Sequence, residues 1–271
     1  MLFRSANGSA PLIVDTAFQS LGMFSSVPSP VTQAYPVSLT NTWSGQGTAS
    51  SIMASFSLAS NGTAGITYDN SADGGNNSGS TASLTYSYAV GSGSNRLLVV
   101  NLIGDTSVDD ISSVTYGGTA LTLLRKVHVP SNNWLYLYYL LNPSSGSHNV
   151  VITAGSSHYL ISQAASWYNV KQSAQPDASA TNTVAAATTS ITTSLTTVAS
   201  GSLVVQGLWS FGHLAAGTGA TPILTDAAFD GAGIFASSAS PVSPAGNVSM
   251  TTISDGSSST GVIMASFAPA P

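Results

Sequence analysis

The chain has no cysteine, no glutamate and only two lysines, Lys126 and Lys171, in 271 residues. Charged side chains of all kinds make up 6% of it, against roughly 25% in ordinary soluble domains. Each shortage excludes something. An all-β chain of this size needs no disulfides, so the missing cysteines leave the compartment open. Five cations against ten aspartates give a net charge of -5. Tracking a phosphate backbone needs clustered Lys or Arg, and the one adjacent pair here is Arg125-Lys126, so no nucleic-acid partner is expected. No run of eighteen apolar residues occurs, so no membrane span is expected. The opening Met1-Leu2-Phe3-Arg4-Ser5 lacks the apolar stretch of a signal peptide, and export is expected by a removed signal or another route.

Catalytic signatures are missing too. There is no Gly-x-Ser-x-Gly elbow, no His-Glu-x-x-His and no Gly-x-x-x-x-Gly-Lys loop. Without Glu, a carboxylate pair for glycoside hydrolysis would have to come from Asp alone. A Ser-His-Asp triad could draw on His128, His148, His158 or His213, but no spacing selects one, because triads are defined by geometry. The expected class is therefore not an enzyme.

What fills the places of charge is Ser, Thr, Gly, Ala and Asn, interleaved with regular apolar runs. Leu84, Tyr86 and Tyr88 alternate with Thr85, Ser87 and Ala89, the period of a half-buried strand. Arg96 to Ile103, Trp134 to Leu141, Tyr159 to Trp167, Leu203 to Trp209 and Val262 to Phe267 read as more strands. Val114-Thr115-Tyr116 and Leu121-Thr122-Leu123 flank Gly117-Gly118 as in a hairpin. No segment carries capped helical periodicity. The expected fold is all-β, a jelly-roll-like β-sandwich.

Internal repetition organises these strands. Shifted so that Pro11 falls on Pro222, residues 1–60 match 212–271 without a gap, with about 22 identities in the 60 positions. Ile52-Met53-Ala54-Ser55-Phe56 returns unchanged as Ile263-Met264-Ala265-Ser266-Phe267. A weaker echo relates Asn149-Val150-Val151-Ile152-Thr153 to Asn247-Val248-Ser249-Met250-Thr251, and Ala165-Ser166-Trp167 to Ala265-Ser266-Phe267. The expected organisation is a partial repeat at 1–60 and two related halves, 61–170 and 171–271. Leu98 should then sit where Val204 sits, Val150 where Val248 sits, and Trp167 where Phe267 sits.

The run Gly93 to Val100, the Val114 to Gly118 hairpin, the Tyr139-Leu140-Leu141-Asn142-Pro143 segment with Gly146, and Ala265-Ser266-Phe267-Ala268-Pro269 together resemble a widespread tandem β-sandwich repeat. It is similar to modules in bacterial surface proteins and phage structural proteins. The resemblance implies a fold and a surface setting. It carries no activity and no functional residues with it.

Three groups of residues are candidate sites. Asp69, Ser71 and Asp73, followed by Gly74, imitate the start of a calcium loop, although position twelve is Ser80 rather than the bidentate Glu; a polar interdomain linker is the simpler reading. Asp105, Asp109 and Asp110 form a weaker calcium candidate, with a charged loop tip as the alternative. Trp134, Tyr136 and Tyr138 share one face of a strand, where they would stack on glycan rings if exposed or form core if inward. Apolar residues on both faces of that strand favour core.

Residues 1–60 lack equivalents of the leading strands of a half. Phe18, Phe24, Ile52 and Phe56 match core-type positions of the complete copy, and leaving each exposed would forfeit roughly 1.5–3 kcal/mol. They are therefore candidates for an assembly arm that completes its sheet with strands from elsewhere. With edges that Lys is too scarce to protect, the expected function is a structural subunit of an extracellular filament, surface layer or virion appendage, partnered by copies of itself. The alternatives are a carbohydrate-binding or adhesion module and a hydrolase with an unrecognised triad.

Overall fold

Strand formation follows the alternation read above, and no helix interrupts it among the described residues. The computed structural model describes residues 3–5, 9–14, 22–26 and 41–43 at the level of backbone, and 65–130, 132–185, 188–226, 231–255 and 259–271 in full. The chain divides into two compact units, Met1–Ser57 and Leu58–Pro271.

The first unit carries β1 (Phe3–Ser5), β2 (Ser9–Val14), β3 (Gly22–Ser26) and β4 (Asn41–Trp43). β1 pairs with β4, and β2 with β3, both antiparallel. Of the candidate arm residues, Phe24 lies on β3 opposite Pro11. Phe18, Ile52 and Phe56 lie outside the described residues.

The second unit opens with β5 (Thr67–Asn76), β6 (Ser83–Val90), β7 (Leu97–Asp105), β8 (Ile111–Tyr116) and β9 (Thr119–Ala120). β10 (Thr122–Val129), β11 (Asn133–Leu141), β12 (Gly146–Ala154) and β13 (Tyr159–Tyr168) complete its first half. The second half holds β14 (Ala178–Val184), β15 (Ser190–Thr196), β16 (Leu203–Ser210), β17 (Leu214–Ala216), β18 (Ala220–Thr225), β19 (Ala232–Ser237), β20 (Asn247–Ser254) and β21 (Thr260–Phe267).

Each half builds a wide five-stranded sheet and a narrow one. The wide sheets run β10-β11-β7-β13-β5 and, read the same way, β18-β19-β16-β21-β14; the narrow ones run β6-β12-β8-β9 and β15-β20-β17. Strand for strand the orders coincide, β9 alone lacking a counterpart among the described residues. Registers coincide as well. Trp167 pairs with Leu97 and Ser166 with Leu98, as Phe267 pairs with Leu203 and Ser266 with Val204. Val150 lies opposite Tyr86, and Val248 opposite Leu195. All six residues of the three expected equivalences are buried.

The bulge between the outer two strands of the wide sheet occurs in both halves and returns between the paired strands β2 and β3 of the first unit. It falls between Leu123 and Arg125 in the first half, Pro222 and Leu224 in the second, and Pro11 and Ile13 in the first unit. Pro11 opposite Phe24 reproduces Pro222 opposite Phe235, and Phe3 opposite Trp43 reproduces Leu214 opposite Ser254. A bulge leaves one residue unpaired and adds local twist; its return at the same place marks one template used three times.

The four sheets of the second unit stack in the order narrow, wide, wide, narrow. Leu84, Tyr88, Val150 and Ile152 of one narrow sheet meet Leu98, Val100, Tyr136 and Tyr138 of its wide sheet. The opposite face of that wide sheet, with Leu97, Val99, Leu135, Leu137 and Trp167, packs on Leu203, Val205, Ile234, Ile263 and Phe267. A third core joins Val204, Phe235 and Met264 to Ile191, Val248 and Met250. The central wide-sheet strands β7, β13, β16, β19 and β21 are thus buried on both faces, which accounts for their continuous apolar runs. The halves meet as two copies related by a pseudo-two-fold: β10 packs beside β14 at one side, as β18 packs beside β5 at the other. Near that axis the side chain of Asn101 fills the space left by Gly207, its own equivalent; a Cβ on Gly207 would lie 2.5 Å from Asn101 Oδ1.

One hairpin differs from expectation. Gly117 and Gly118 take positive φ values of 54° and 80°, as a tight primed turn demands, but the returning strand is only Thr119–Ala120. The chain then turns at buried Leu121 and crosses to the wide sheet as β10.

Candidate functional site

The calcium candidates sit on a strand. Asp69, Ser71 and Asp73 belong to β5, the edge of a wide sheet, which also replaces the expected linker. Asp69 is occupied as an acceptor: Oδ2 takes the Gly91 N–H at 2.9 Å and the Ser166 hydroxyl at 2.6 Å, and Oδ1 takes the Tyr168 hydroxyl. Asp73 Oδ1 accepts the Gly75 N–H, and Ser71 Oγ accepts the Tyr68 hydroxyl. An extended edge does not wrap its carboxylates around an ion as a loop does. Asp69 is instead a latch between β5, β13 and the turn after β6. In the second half Asp177 stands at the matching place and holds the loop between β15 and β16, its Oδ2 accepting the Ala199 N–H at 3.3 Å and the Ser202 hydroxyl at 3.5 Å.

The aromatic row on β11 faces inward. Tyr136 is 1% exposed and Tyr138 8%; Trp134, Tyr136 and Tyr138 stack on one another with centroids 6.2 and 6.3 Å apart. The narrow sheet covers Tyr136 and Tyr138, which are core of the first half, while Trp134 is half-buried at the end of the row with Lys126 Nζ 5.8 Å over its ring, so the row is not an open platform for sugar rings. The Tyr136 hydroxyl donates to Asp109 Oδ1 at 2.9 Å. Burial pushes the Tyr138 phenol up to about 12 and raises that of Tyr136 further, where the neighbouring Asp109 adds to the effect.

Asp105, Asp109 and Asp110 gather at one end of the first half, each with a partner. Asp105 accepts the Asn133 amide at 2.9 Å, Asp109 pairs with Lys126, and Asp110 accepts the Ser156 hydroxyl at 2.7 Å. His158 Nε2 lies 3.7 Å from Asp110 Oδ1. Ser, Asp and His therefore meet in the wrong order for nucleophile activation. In a triad the imidazole stands between hydroxyl and carboxylate to take the proton; here the carboxylate stands between.

A feature that residue patterns did not disclose is a groove of about 330 Å³ where β5 and β18 meet. Tyr68, Trp167, Ile223, Ala236 and Ser238 are among its lining residues. Tyr68 is 47% exposed, and its ring meets the Trp167 ring edge-on at 6.3 Å. The signal for it lay in the repeat: aligning the halves sets Ala236 where Tyr139 stands. No protein-family model matches the chain, and no curated protein matches it.

Proposed function

We propose that this protein is a non-enzymatic structural subunit that assembles with copies of itself, as part of an extracellular filament, a surface layer or a virion appendage. The observation that carries the reading is the threefold use of one strand template, with its bulge in register each time. Modules repeated within a chain make extended objects by stacking copies, and the two complete copies already stack through their wide sheets. The outward surfaces support the same reading. The narrow-sheet strands β6, β8, β12, β15, β17 and β20 contain no Lys, Arg, Asp or Glu. Their exposed positions are mostly Ser, Thr and Asn, as in Ser83, Thr85 and Ser87 or Thr192, Ser194 and Ser249. Across strands those hydroxyls bond one another, Thr192 to Thr251 at 2.9 Å and Ser194 to Ser249 at 2.7 Å. Such faces offer no like-charge repulsion to a second copy.

Residues 1–57 supply the assembly arm in this account. They hold counterparts of β17 to β20, and the wide sheet of a complete half places a further strand, β16, beside β19. In this account that partner comes from elsewhere in the same chain or, by strand addition, from a neighbouring subunit. The test is light scattering of the full chain against a 58–271 variant whose fold is checked by circular dichroism. Polymers from the full chain alone support the arm; native-like polymers from 58–271 refute it.

A further inference from the structure

At the groove between β5 and β18 the pseudo-two-fold fails. At the opposite side of the stack, the Tyr139 ring packs 6.0 Å from Phe267, and its hydroxyl donates to the Gln175 carbonyl at 2.7 Å. Registers make Ala236 the equivalent of Tyr139: they lie opposite Thr221 and Thr122, and opposite Val205 and Val99. Trp167 is likewise the equivalent of Phe267. One side thus holds a six-membered ring bearing a hydroxyl, and the other holds a methyl group and an open groove.

We propose that this groove binds a neutral pyranose ring of a glycan. The site is independent of the assembly proposed above. Its size of about 330 Å³ falls in the range of small-ligand pockets, roughly 300–1,000 Å³. Tyr68 offers the stacking face. The ring is held before any ligand arrives, because its hydroxyl donates to Ser71 Oγ at 2.9 Å and its side abuts Trp167. Rigid aromatic faces with a wet edge suit the C–H faces of sugars. The rim supplies hydroxyls: Thr221 and Ser238 are exposed, and their side chains make no hydrogen bond among the described residues. Among the described residues no charged side chain lines the groove, so an anionic or cationic ligand would meet no counter-charge there, whereas a neutral polyol matches it. The rival occupant, an aromatic side chain of a protein partner, fits the same space but leaves the rim hydroxyls unused.

The experiment titrates the full chain with maltose, lactose, cellobiose and N,N′-diacetylchitobiose, with N-acetyltyrosinamide as the control for a protein partner, followed by saturation-transfer NMR and intrinsic fluorescence. Ala236→Tyr refills the groove as Tyr139 fills its counterpart, and Tyr68→Ala removes the stacking face. At least one disaccharide should bind, each variant should weaken it at least tenfold, and melting should show both variants folded. The proposal is overturned if no disaccharide binds, if binding survives in both folded variants, or if only N-acetyltyrosinamide binds. If Ala236→Tyr fails to fold, Tyr68→Ala alone decides: unchanged affinity there overturns the site.

Discussion

Gly207→Ala tests the stacking of the two wide sheets at its centre. The added methyl would lie 2.5 Å from Asn101 Oδ1 and 2.7 Å from Leu137 Cδ1, both in the other half. Neither neighbour has room to withdraw. Leu137 is fully buried, and the Asn101 amide donates to Gln163 Oε1 and to the Leu208 carbonyl, each at 3.0 Å. Overpacking of a dense core costs about 1–3 kcal/mol, and about 2 kcal/mol is expected here. In a unit of this size that lowers Tm by about 4–8 °C. Urea unfolding should show a lower midpoint with an unchanged slope, since the surface exposed on unfolding stays the same. Asn101→Ala alone should also destabilise, by about 1–3 kcal/mol, because it strands buried acceptors. The double variant should cost less than the sum of the two, because the atom struck by the methyl is gone. Full additivity, or a neutral Gly207→Ala, would refute a dry core joining the halves at this point.

Other consequences can be measured on the same protein. Phe267→Ala, emptying a fully buried site shared by both halves, should cost about 3–5 kcal/mol by urea unfolding. Asp69→Ala, which strips acceptors from Gly91, Ser166 and Tyr168, should cost about 3 kcal/mol and speed amide exchange along β5. Burial raises the phenols of Tyr86, Tyr88, Tyr136 and Tyr138 above their ordinary value of 10.0. The unfolded chain therefore loses these protons first, and stability, level below about pH 10, should fall as pH rises from there toward 12. Each phenol contributes up to about 1.4 kcal/mol per pH unit, and ultraviolet titration should show late tyrosine ionisation that coincides with unfolding.

How far the sequence was legible depended on which strand was in question. Central strands such as β7, β13, β16 and β21 are buried on both faces, and their apolar runs announced them. The strands that escaped were edges. β5, read as a linker, and β14, left unassigned, flank the wide sheets and carry Asp, Asn, Ser and Thr. Edge strands have one neighbour and partly wet faces, so neither alternation nor a continuous run marks them. The hairpin at Gly117-Gly118 was right in its turn and wrong in its return, because crossing between sheets at Leu121 depends on the whole sandwich. The groove was hidden for a related reason: Ala236 is unremarkable until the register sets it against Tyr139.

The most direct measurement is negative-stain microscopy of the full chain at high concentration. The account predicts regular polymers whose repeat matches stacked copies of the subunit. A field of dispersed monomers under those conditions would contradict it.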